Sequence, residues 1–198
     1  FYDYKDIEKL EKFLQGKPIA EQEIGRLLIM ETIAFSETSM CRRKYILHYF
    51  GEEFTSSDCN QMCDNCKNPK PTSEGKIDVK KLLEVIIECK QRFKPKEIAK
   101  IMIGESNSLI KQHMSQISHV FGSGKEKSIQ FWHSIIRQVY VKQLITKEIE
   151  SYGVLKITDK GIDFIKSPKS FMITEDHDYN QLNDQKIITN QKGLALDN

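Results

Sequence analysis

Four of the five cysteines, Cys41, Cys59, Cys63 and Cys66, lie in one short region and constrain the fold more than any other feature. The last three are separated by only three and two residues. Spacings this short allow two thiolates to bind one metal ion without straining the loop between them. Four thiolates around one ion make a closed tetrahedral zinc site, with no position left for water. We therefore expect a structural Zn²⁺ that takes no part in a reaction.

Disulfide bonding is the alternative use of these cysteines. No positively charged, apolar leader follows Phe1, which favours a reducing compartment in which clustered cysteines bind metal. Five is also an odd number, so a disulfide scheme would leave one cysteine unmatched. The fifth, Cys89, lies on the apolar face of a predicted helix, and we expect it to be a buried core thiol. We also expect the chain to be part of a longer protein.

The composition fits a soluble protein of one or two domains, with 39% hydrophobic and 29% charged residues. No apolar run reaches the ~20 residues of a membrane-spanning helix, so we expect a cytoplasmic protein without a membrane partner. The net charge is only +2, but residues 76–169 are rich in lysine and acidic residues follow Phe171. A locally basic domain suits a phosphate-binding surface, although ordinary solvated lysines give the same pattern.

The first part of the chain, residues 1–68, reads as helical and contains the cysteines. Apolar residues recur at helical spacing in 6–14 and 19–35. A third helix is predicted from Ser39 or Met40 to Phe50, with Gly51 ending it and Cys41 in its first turn. Residues 69–77 contain Pro and Gly and predict a linker.

The second part, residues 78–167, predicts three helices followed by a hairpin. Asp78 is the expected cap of the first helix, residues 96–103 form the next and Ser128 caps the most strongly amphipathic one. The segment 106–124 is ambiguous. Two β-branched stretches, 144–150 and 154–158, pair around a turn at 151–153, and a short helix over 160–166 follows. This order is that of a winged helix, and the polar residues 168–198 predict a flexible tail. The fold class is therefore mainly α with a small β-hairpin.

The predicted DNA contacts lie on the hairpin and on the helix capped by Ser128. Lys125 and Lys127 flank the start of the helix capped by Ser128, where backbone N–H groups suit a phosphate. Tyr152 lies at the predicted hairpin tip, where we expect its ring either to stack on a base or to fold back on its own strand. Further contacts are expected from Arg137, Lys147, Tyr152 and Lys156.

A nucleotide-binding loop is not indicated, although residues 122–128 superficially resemble one. A P-loop requires glycine where His119 stands and Ser or Thr where Glu126 stands. The five histidines lack metal-binding spacings, and His48 is expected to be an interface side chain. No catalytic residues are predicted within this chain.

Two groups of residues, in this order, carry a family resemblance. Residues 41–52 (CRRKYILHYFGE) with 59–66 (CNQMCDNC) resemble the zinc-binding subdomain of RecQ-type DNA helicases. The segments QRF at 91–93, FGSG at 121–124 and IIRQ at 135–138, with Trp132, resemble the winged helix (RQC region) that follows it in that family. The resemblance covers residues 1–166. Many bacterial relatives have two residues between the cysteines that correspond to Cys59 and Cys63, and this chain has three.

The resemblance implies a bacterial, nucleoid-associated helicase that unwinds DNA in the 3′ to 5′ direction during repair, recombination and replication. It implies that ATP and Mg²⁺ are used by motor lobes outside this chain. Double-stranded, forked or junction DNA is the expected partner, with repair proteins as further partners, and the expected state is a monomer. A winged-helix transcriptional regulator with a structural zinc site is the alternative, and a protein-docking module is a third class.

Overall fold

The computed structural model describes residues 4–54 and 59–177. Ten helices and four strands lie within these ranges. The helices are α1 Tyr4–Lys12, α2 Ile19–Glu37, α3 Arg42–Tyr49, α4 Asp64–Lys67, α5 Lys76–Glu88, α6 Pro95–Ile103, α7 Ser108–Gln112, α8 Met114–Ile117, α9 Ile129–Val141 and α10 Asp159–Lys166. The strands are β1 Thr72–Glu74, β2 Ile145–Glu148, β3 Val154–Ile157 and β4 Met172–Thr174. None of these helices combines the length and apolar composition that crossing a bilayer requires.

The described residues divide into two compact units, one that contains residues 4–37 with His177 and one that contains Thr38–Asp176. In the first unit, α1 packs against α2. The turn between them contains Gly16, whose positive φ of 80° is readily adopted by glycine. The predicted helices at 6–14 and 19–35 are therefore present with slightly different ends.

The second unit begins with the cysteine-bearing segment. Cys41 stands immediately before α3, and its carbonyl oxygen accepts a hydrogen bond from the backbone N–H of Tyr45 at 3.0 Å. The sequence predicted Cys41 in the first turn, one position further into the helix. Gly51 ends the helix as predicted, with φ of +80°, and its N–H donates to the carbonyl oxygen of His48 at 3.0 Å.

The winged helix forms the larger part of this unit. Helices α5, α6 and α9 pack around a common core with the hairpin and α10. The apolar face predicted for α5 is buried, and Trp132 of α9 is fully buried. The largest buried side chains of this core are Leu82, Leu83, Ile86, Phe93, Ile98, Ile101, Met102, Ile110, Ile117, Trp132, Ile135 and Ile136. The expected fold class, mainly α with a small β-hairpin, is confirmed.

The hairpin pairs β2 with β3 in antiparallel register, with Ile145 opposite Ile157 and Lys147 opposite Leu155. Ile145 and Leu155 are buried, so this face of the hairpin lies on the core. Thr146 and Lys156 form the intervening pair and lie on the other face, because side chains alternate along a strand. The register therefore assigns Lys147 and Lys156 to opposite faces.

The start of α5 differs from the prediction. Gly75, not Asp78, is the residue before the helix, and Asp78 lies in the first turn. The carboxylate of Glu74 accepts a hydrogen bond from the N–H of Lys76 at 2.8 Å. Because Glu74 already satisfies a free N–H of the first turn, the helix begins three residues earlier than a cap at Asp78 would give.

A small sheet occupies segments that the sequence predicted to be a linker and a flexible tail. Strand β1 pairs with β4 in antiparallel register, with Thr72 opposite Thr174. Phe171 and Ile173 are buried, so the tail contributes to the core. The expectation of flexibility was therefore wrong for residues 172–174. The acidic positions Asp178 and Asp184 lie outside the described residues.

The ambiguous segment 106–124 contains two short helices, α7 and α8, followed by a turn. Asn107 caps α7 by accepting a hydrogen bond from the N–H of Ile110 at 2.9 Å. The turn is anchored to the end of α6, since the N–H of Gly124 donates to the carbonyl oxygen of Met102 at 2.8 Å. This anchoring fixes the loop that precedes α9.

Candidate metal centre and nucleic-acid interface

The sulfur atoms of Cys41, Cys59, Cys63 and Cys66 all lie within 4.8 Å of one another. Sulfur atoms bound to one tetrahedral zinc ion at about 2.3 Å lie about 3.8 Å apart, so small side-chain movements reach that geometry. All four are free thiols. The donor set fits Zn²⁺, and these four residues would hold it. A bound Zn²⁺ supplies a fixed cross-link between distant parts of the chain and no reactive position.

Cys63 and Cys66 form the turn at one side of the cluster. Cys63 precedes α4, and its sulfur accepts a hydrogen bond from the backbone N–H of Cys66 at 3.4 Å. Although burial raises it, hydrogen bonds from the N–H groups of Arg42 and Cys66 lower the pKa of Cys63 to about 7. Backbone donors thus favour the thiolate form that binds metal.

Cys41 and Cys66 carry thiols whose ionisation is disfavoured by their surroundings. Burial is the main cause that raises the pKa of Cys41, and burial together with the neighbouring sulfur atoms raises the pKa of Cys66. A divalent cation reverses this preference because it stabilises all four thiolates together. The four thiolates are therefore stable together when they bind one cation, and not as four separate negative charges.

Asn65 joins the two halves of the cysteine site. Its side chain is buried, and its Nδ2 donates to the carbonyl oxygens of Thr38 and Met40, both at 2.7 Å. Next to it, Arg42 donates from Nε and Nη2 to the carboxylate of Asp64 at 2.7 and 2.8 Å. These contacts hold the residue before Cys41 against the turn that carries Cys63 and Cys66.

Cys89 and His48 are separate from the four-cysteine cluster. Cys89 is buried in the winged-helix core, and burial raises the pKa of its thiol to about 12. The prediction of a core thiol is confirmed. The ring of His48 packs edge-on against Tyr140, with 4.5 Å between the centroids.

The structure brings Lys125, Lys127 and Ser128 together at the start of α9, and all three are exposed. Ser128 caps the helix by accepting a hydrogen bond from the N–H of Phe131 at 3.1 Å. The Nζ of Lys127 lies 4.8 Å from the centre of the Phe131 ring. This part of α9 therefore presents two cations beside a helix end with favourable polarity for an anion.

The loop before this helix end is fixed by close packing. The Trp132 Nε1 donates to the carbonyl oxygen of Gly124 at 2.9 Å. A Cβ at position 124 would lie 2.3 Å from the Trp132 ring, so only glycine allows this approach. The positions of Lys125 and Lys127 thus follow directly from the core.

The hairpin residues are more enclosed than the sequence suggested. The Nζ of Lys147 lies 4.4 Å from the centre of the Tyr140 ring. The Nζ of Lys156 lies 3.6 Å from a carboxylate oxygen of Glu148 and donates to the carbonyl oxygen of Gln91 at 3.2 Å. Both ammonium groups are therefore half-buried, on opposite faces of the hairpin.

Tyr152 has a positive φ of 51° and is half-buried, with the Nζ of Lys94 5.7 Å from its ring centre. Ile149 instead is the exposed apolar residue of the turn, with 82% of its surface accessible. The sequence analysis missed Ile149 because an isolated exposed isoleucine carries no pattern.

Arg137 does not join the open cationic surface. Its guanidinium forms an ion pair with Asp176, and the two side chains are only 14% and 9% exposed. This placement corrects the expectation that Arg137 presents its charge to phosphate. The sequence could not reveal the pair, because Asp176 lies in the segment that was expected to be flexible.

Each of the two parts of the chain matches the model of a known protein family. The model of the RQC domain matches residues 69–181, which is more than half of the chain. The chain belongs to the RQC family. The model of the RecQ zinc-binding region matches residues 4–67, directly before the RQC domain. The resemblance to the corresponding region of RecQ-type helicases is thereby confirmed.

Relatives of this RQC-family chain are named as helicases. The ATP-dependent DNA helicase RecQ of Pasteurella multocida is 36% identical over 149 residues, covering 73% of this chain and 23% of that protein. The protein of the same name in Haemophilus influenzae is 33% identical over 171 residues, covering 84% and 27%. The ATP-dependent helicase SGS1 of Saccharomyces cerevisiae is 22% identical over 186 residues, covering 84% and 12%. The chain spans about a quarter of the length of the Pasteurella and Haemophilus proteins.

The predicted structural Zn²⁺ is confirmed by the zinc-binding match together with the four-cysteine cluster. In this RQC-family chain, a zinc-bearing helical segment is followed by a winged helix, as the sequence order indicated. Asn65 is a site residue that the sequence analysis missed. Its position between Cys63 and Cys66 was the available clue, since an amide there lies close to the metal ligands.

Proposed function

We propose that this chain is the DNA-binding zinc and winged-helix region of an ATP-dependent RecQ-type helicase. The proposed division is a motor-lobe end and zinc subdomain over 1–68, a linker over 69–77, a winged helix over 78–167 and a tail over 168–198. The whole protein unwinds DNA in the 3′ to 5′ direction in repair, recombination and replication. In this proposal the motor that uses ATP and Mg²⁺ lies outside the chain.

The observation that carries this proposal is the start of α9. Lys125 and Lys127 are exposed beside a capped helix end, and the buried Gly124 and Trp132 hold the loop in place. Cations held beside a helix N-terminus favour a phosphate group and carry no preference for a base sequence. Such a surface suits an enzyme that must act on DNA of any sequence.

The proposed DNA contacts are of two kinds. Lys125, Lys127 and Ser128 bind phosphate at the start of α9, whereas Lys147, Tyr152 and Lys156 contribute from the hairpin. Arg137 is omitted because its charge is satisfied by Asp176. The zinc ion contributes by fixing α3, which packs against α9, so that the DNA-binding helix has a rigid support.

The partners and location follow from the same proposal. Double-stranded, forked or junction DNA is the proposed ligand, and repair proteins are proposed partners of the whole protein. The chain is proposed to act as a monomer in the bacterial cytoplasm, associated with the nucleoid.

Binding to DNA of different shapes and sequences tests this function. Fluorescence anisotropy would compare labelled forked, blunt and single-stranded DNA at several salt concentrations, with a second fork of unrelated sequence. We expect forks of both sequences to bind equally and binding to weaken with salt. The double variant Lys125→Ala and Lys127→Ala should reduce the slope of log K against log salt by about 2, since each phosphate contact contributes about 0.9.

The matched control is Lys166→Ala with Lys169→Ala, which removes the same charge from exposed positions elsewhere. We expect the control to keep the wild-type slope. A preference of several kcal/mol for one duplex sequence would instead identify a transcriptional regulator. No binding to any DNA at low salt would reject the proposal in favour of a protein-docking module.

A further inference from the structure

The loop between α5 and α6, together with the first turn of α6, carries four cations at alternate positions. These residues are Lys90, Arg92, Lys94 and Lys96, and we call them the loop strip. Lys90, Arg92 and Lys96 are exposed, and Lys94 is half-buried. None of the four belongs to the surface at the start of α9.

The loop is fixed to the outer edge of the hairpin by hydrogen bonds from two backbone N–H groups of β3. The N–H of Leu155 donates to the carbonyl oxygen of Phe93 at 3.0 Å. The N–H of Ile157 donates to the side-chain oxygen of Gln91 at 2.8 Å. Lys90 and Gln91 lie in the left-handed region, at φ of +55° and +52°, which non-glycine residues rarely adopt. The backbone that carries the loop strip is therefore held in one arrangement.

The side chains of the loop strip are directed outward by a buried neighbour. Phe93 is 1% exposed and lies between Arg92 and Lys94. Since adjacent side chains of an extended segment point in opposite directions, Arg92 and Lys94 face away from the core. The Nη1 of Arg92 donates to the side-chain oxygen of Gln116 at 3.2 Å. The Nζ of Lys94 lies 5.7 Å from the Tyr152 ring centre, so Tyr152 supports this cation.

The nearby carboxylates do not neutralise the charges of Lys90 and Lys96. Glu88 pairs with His119 at 3.1 Å. Glu97 accepts a hydrogen bond from Asn107 at 3.5 Å, and Glu148 binds Ser151 and Lys156. Within the described parts of the chain, neither Lys90 nor Lys96 forms an ion pair.

Lys96 also acts electrostatically on His133 of α9. Burial is the main cause that lowers the pKa of His133 to about 4, and the charges of Arg137 and Lys96 lower it further. The imidazole is therefore neutral at pH 7 and adds no cation of its own. An anionic ligand would stabilise this arrangement of charges.

The two cationic surfaces lie at opposite ends of α6. The last turn of α6 contacts the loop before α9, through the hydrogen bond from Gly124 to Met102. The loop strip lies at the first turn. Nine helical residues span about 13 Å, which equals about four base-pair steps of 3.4 Å. The length of α6 therefore matches a short stretch of duplex.

We propose that the loop strip is a second contact for the phosphate backbone of DNA, distinct from the start of α9. This inference rests on the proposed DNA-binding function and adds a second, independent group of phosphate ligands. The winged helix then binds duplex at two points along α6, with Tyr152 and the edge of β3 holding the second point in place.

The test uses the chain of residues 1–198 and a labelled forked duplex. The double variant Lys90→Ala and Lys96→Ala removes two exposed charges that have no ion-pair partner among the described residues. Its control is Lys166→Ala with Lys169→Ala, which changes the net charge equally. We expect the first variant to reduce the slope of log K against log salt by about 2 and the control to leave it unchanged. Thermal unfolding of both variants should match the wild type, because all four lysines are exposed.

Acetylation footprinting provides a second measurement on the wild-type protein. Saturating forked DNA should protect Lys90 and Lys96 from a lysine-acetylating reagent, but not Lys166 and Lys169. The loop strip would be overturned if the wild-type protein binds DNA, the Lys90/Lys96 variant has the same slope, and DNA does not protect Lys90 or Lys96. The proposed function would then still stand. Equal slope losses in both double variants would also overturn it, as would protection by polyglutamate but not by DNA. If the wild-type protein binds no DNA, the proposed function itself is rejected.

Discussion

The side-chain nitrogen of Asn65 lies 2.7 Å from the carbonyl oxygen of Met40, the residue that precedes Cys41. Asn65 itself stands between two metal-binding cysteines of the opposite segment. The amide therefore fixes the distance between the two halves of the zinc site, whichever metal ion the sulfur atoms bind.

Replacing Asn65 with alanine should weaken zinc binding by about 10- to 100-fold, the usual effect of removing a residue that orients a metal ligand. Competition with a chromophoric zinc chelator would measure the affinity. Asn68→Ala is the matched control, because Asn68 is exposed on the same segment. Equal affinities for the Asn65 variant and the wild type would show that Asn65 does not position the ligands.

Replacing Cys63 with serine should release zinc, because site formation and local folding are linked. Elemental analysis should find close to one zinc ion per wild-type chain and almost none in the variant. Amide hydrogen exchange should become faster in residues 38–54 and 59–67. Cys89→Ala is the comparison, since it removes a buried thiol from the winged-helix core at a cost of roughly 1 kcal/mol but should retain the zinc. Zinc retention by Cys63→Ser would exclude Cys63 as a required ligand.

Replacing Glu74 with glutamine should change how stability depends on pH. Hydrogen bonds from Ser170, Phe171 and Lys76 lower the pKa of Glu74 to about 2. A carboxyl whose pKa is lower in the folded state stabilises the protein above its unfolded pKa, and this contribution is lost as pH falls through the folded value. The melting temperature of the variant should be below that of the wild type near pH 6, and the difference should shrink from about pH 4.5 towards pH 2.

A series of thermal melts between pH 2 and 7 checks this expectation. Glu105→Gln controls for the loss of one exposed surface carboxyl. A melting-temperature difference that stays constant across the whole series would mean that ionised Glu74 has no special role.

Replacing Gly124 with alanine should destabilise the winged helix by about 1–3 kcal/mol, because the new Cβ would overlap the Trp132 ring. Trp132 is the single tryptophan, so its fluorescence reports directly on this contact. Gly51→Ala is the contrast, since Gly51 has a positive φ but open space around it. We expect a shifted emission spectrum only in the Gly124 variant, and identical spectra for both would contradict the proposed packing.

The sequence revealed those features that depend on local spacing. The cysteine spacing indicated the zinc site, and the apolar residues Leu82, Leu83 and Ile86 indicated the buried face of α5. Both patterns repeat within a few residues, so neither needs knowledge of distant contacts. The order of helices and hairpin then indicated a winged helix.

The features that the sequence did not reveal depend on partners far apart in the chain. Strands β1 and β4 are three residues each, which is too short for an alternating pattern to stand out. The pairing of Arg137 with Asp176 removed a predicted DNA contact, and it joins positions 39 residues apart. Similarly, the half-buried position of Tyr152 depends on Lys94 of a different loop.

The pairing of β1 with β4 has a mechanical consequence for the second unit. Thr72 and Thr174 form the outermost pair, and the chain enters the winged helix just before one and leaves just after the other. Tension applied through the two flanking segments would act on one residue pair of β1 and β4 at a time. The pairs would therefore separate one after another, at low force. The helices and the β2–β3 hairpin would bear no tension until β1 and β4 had separated.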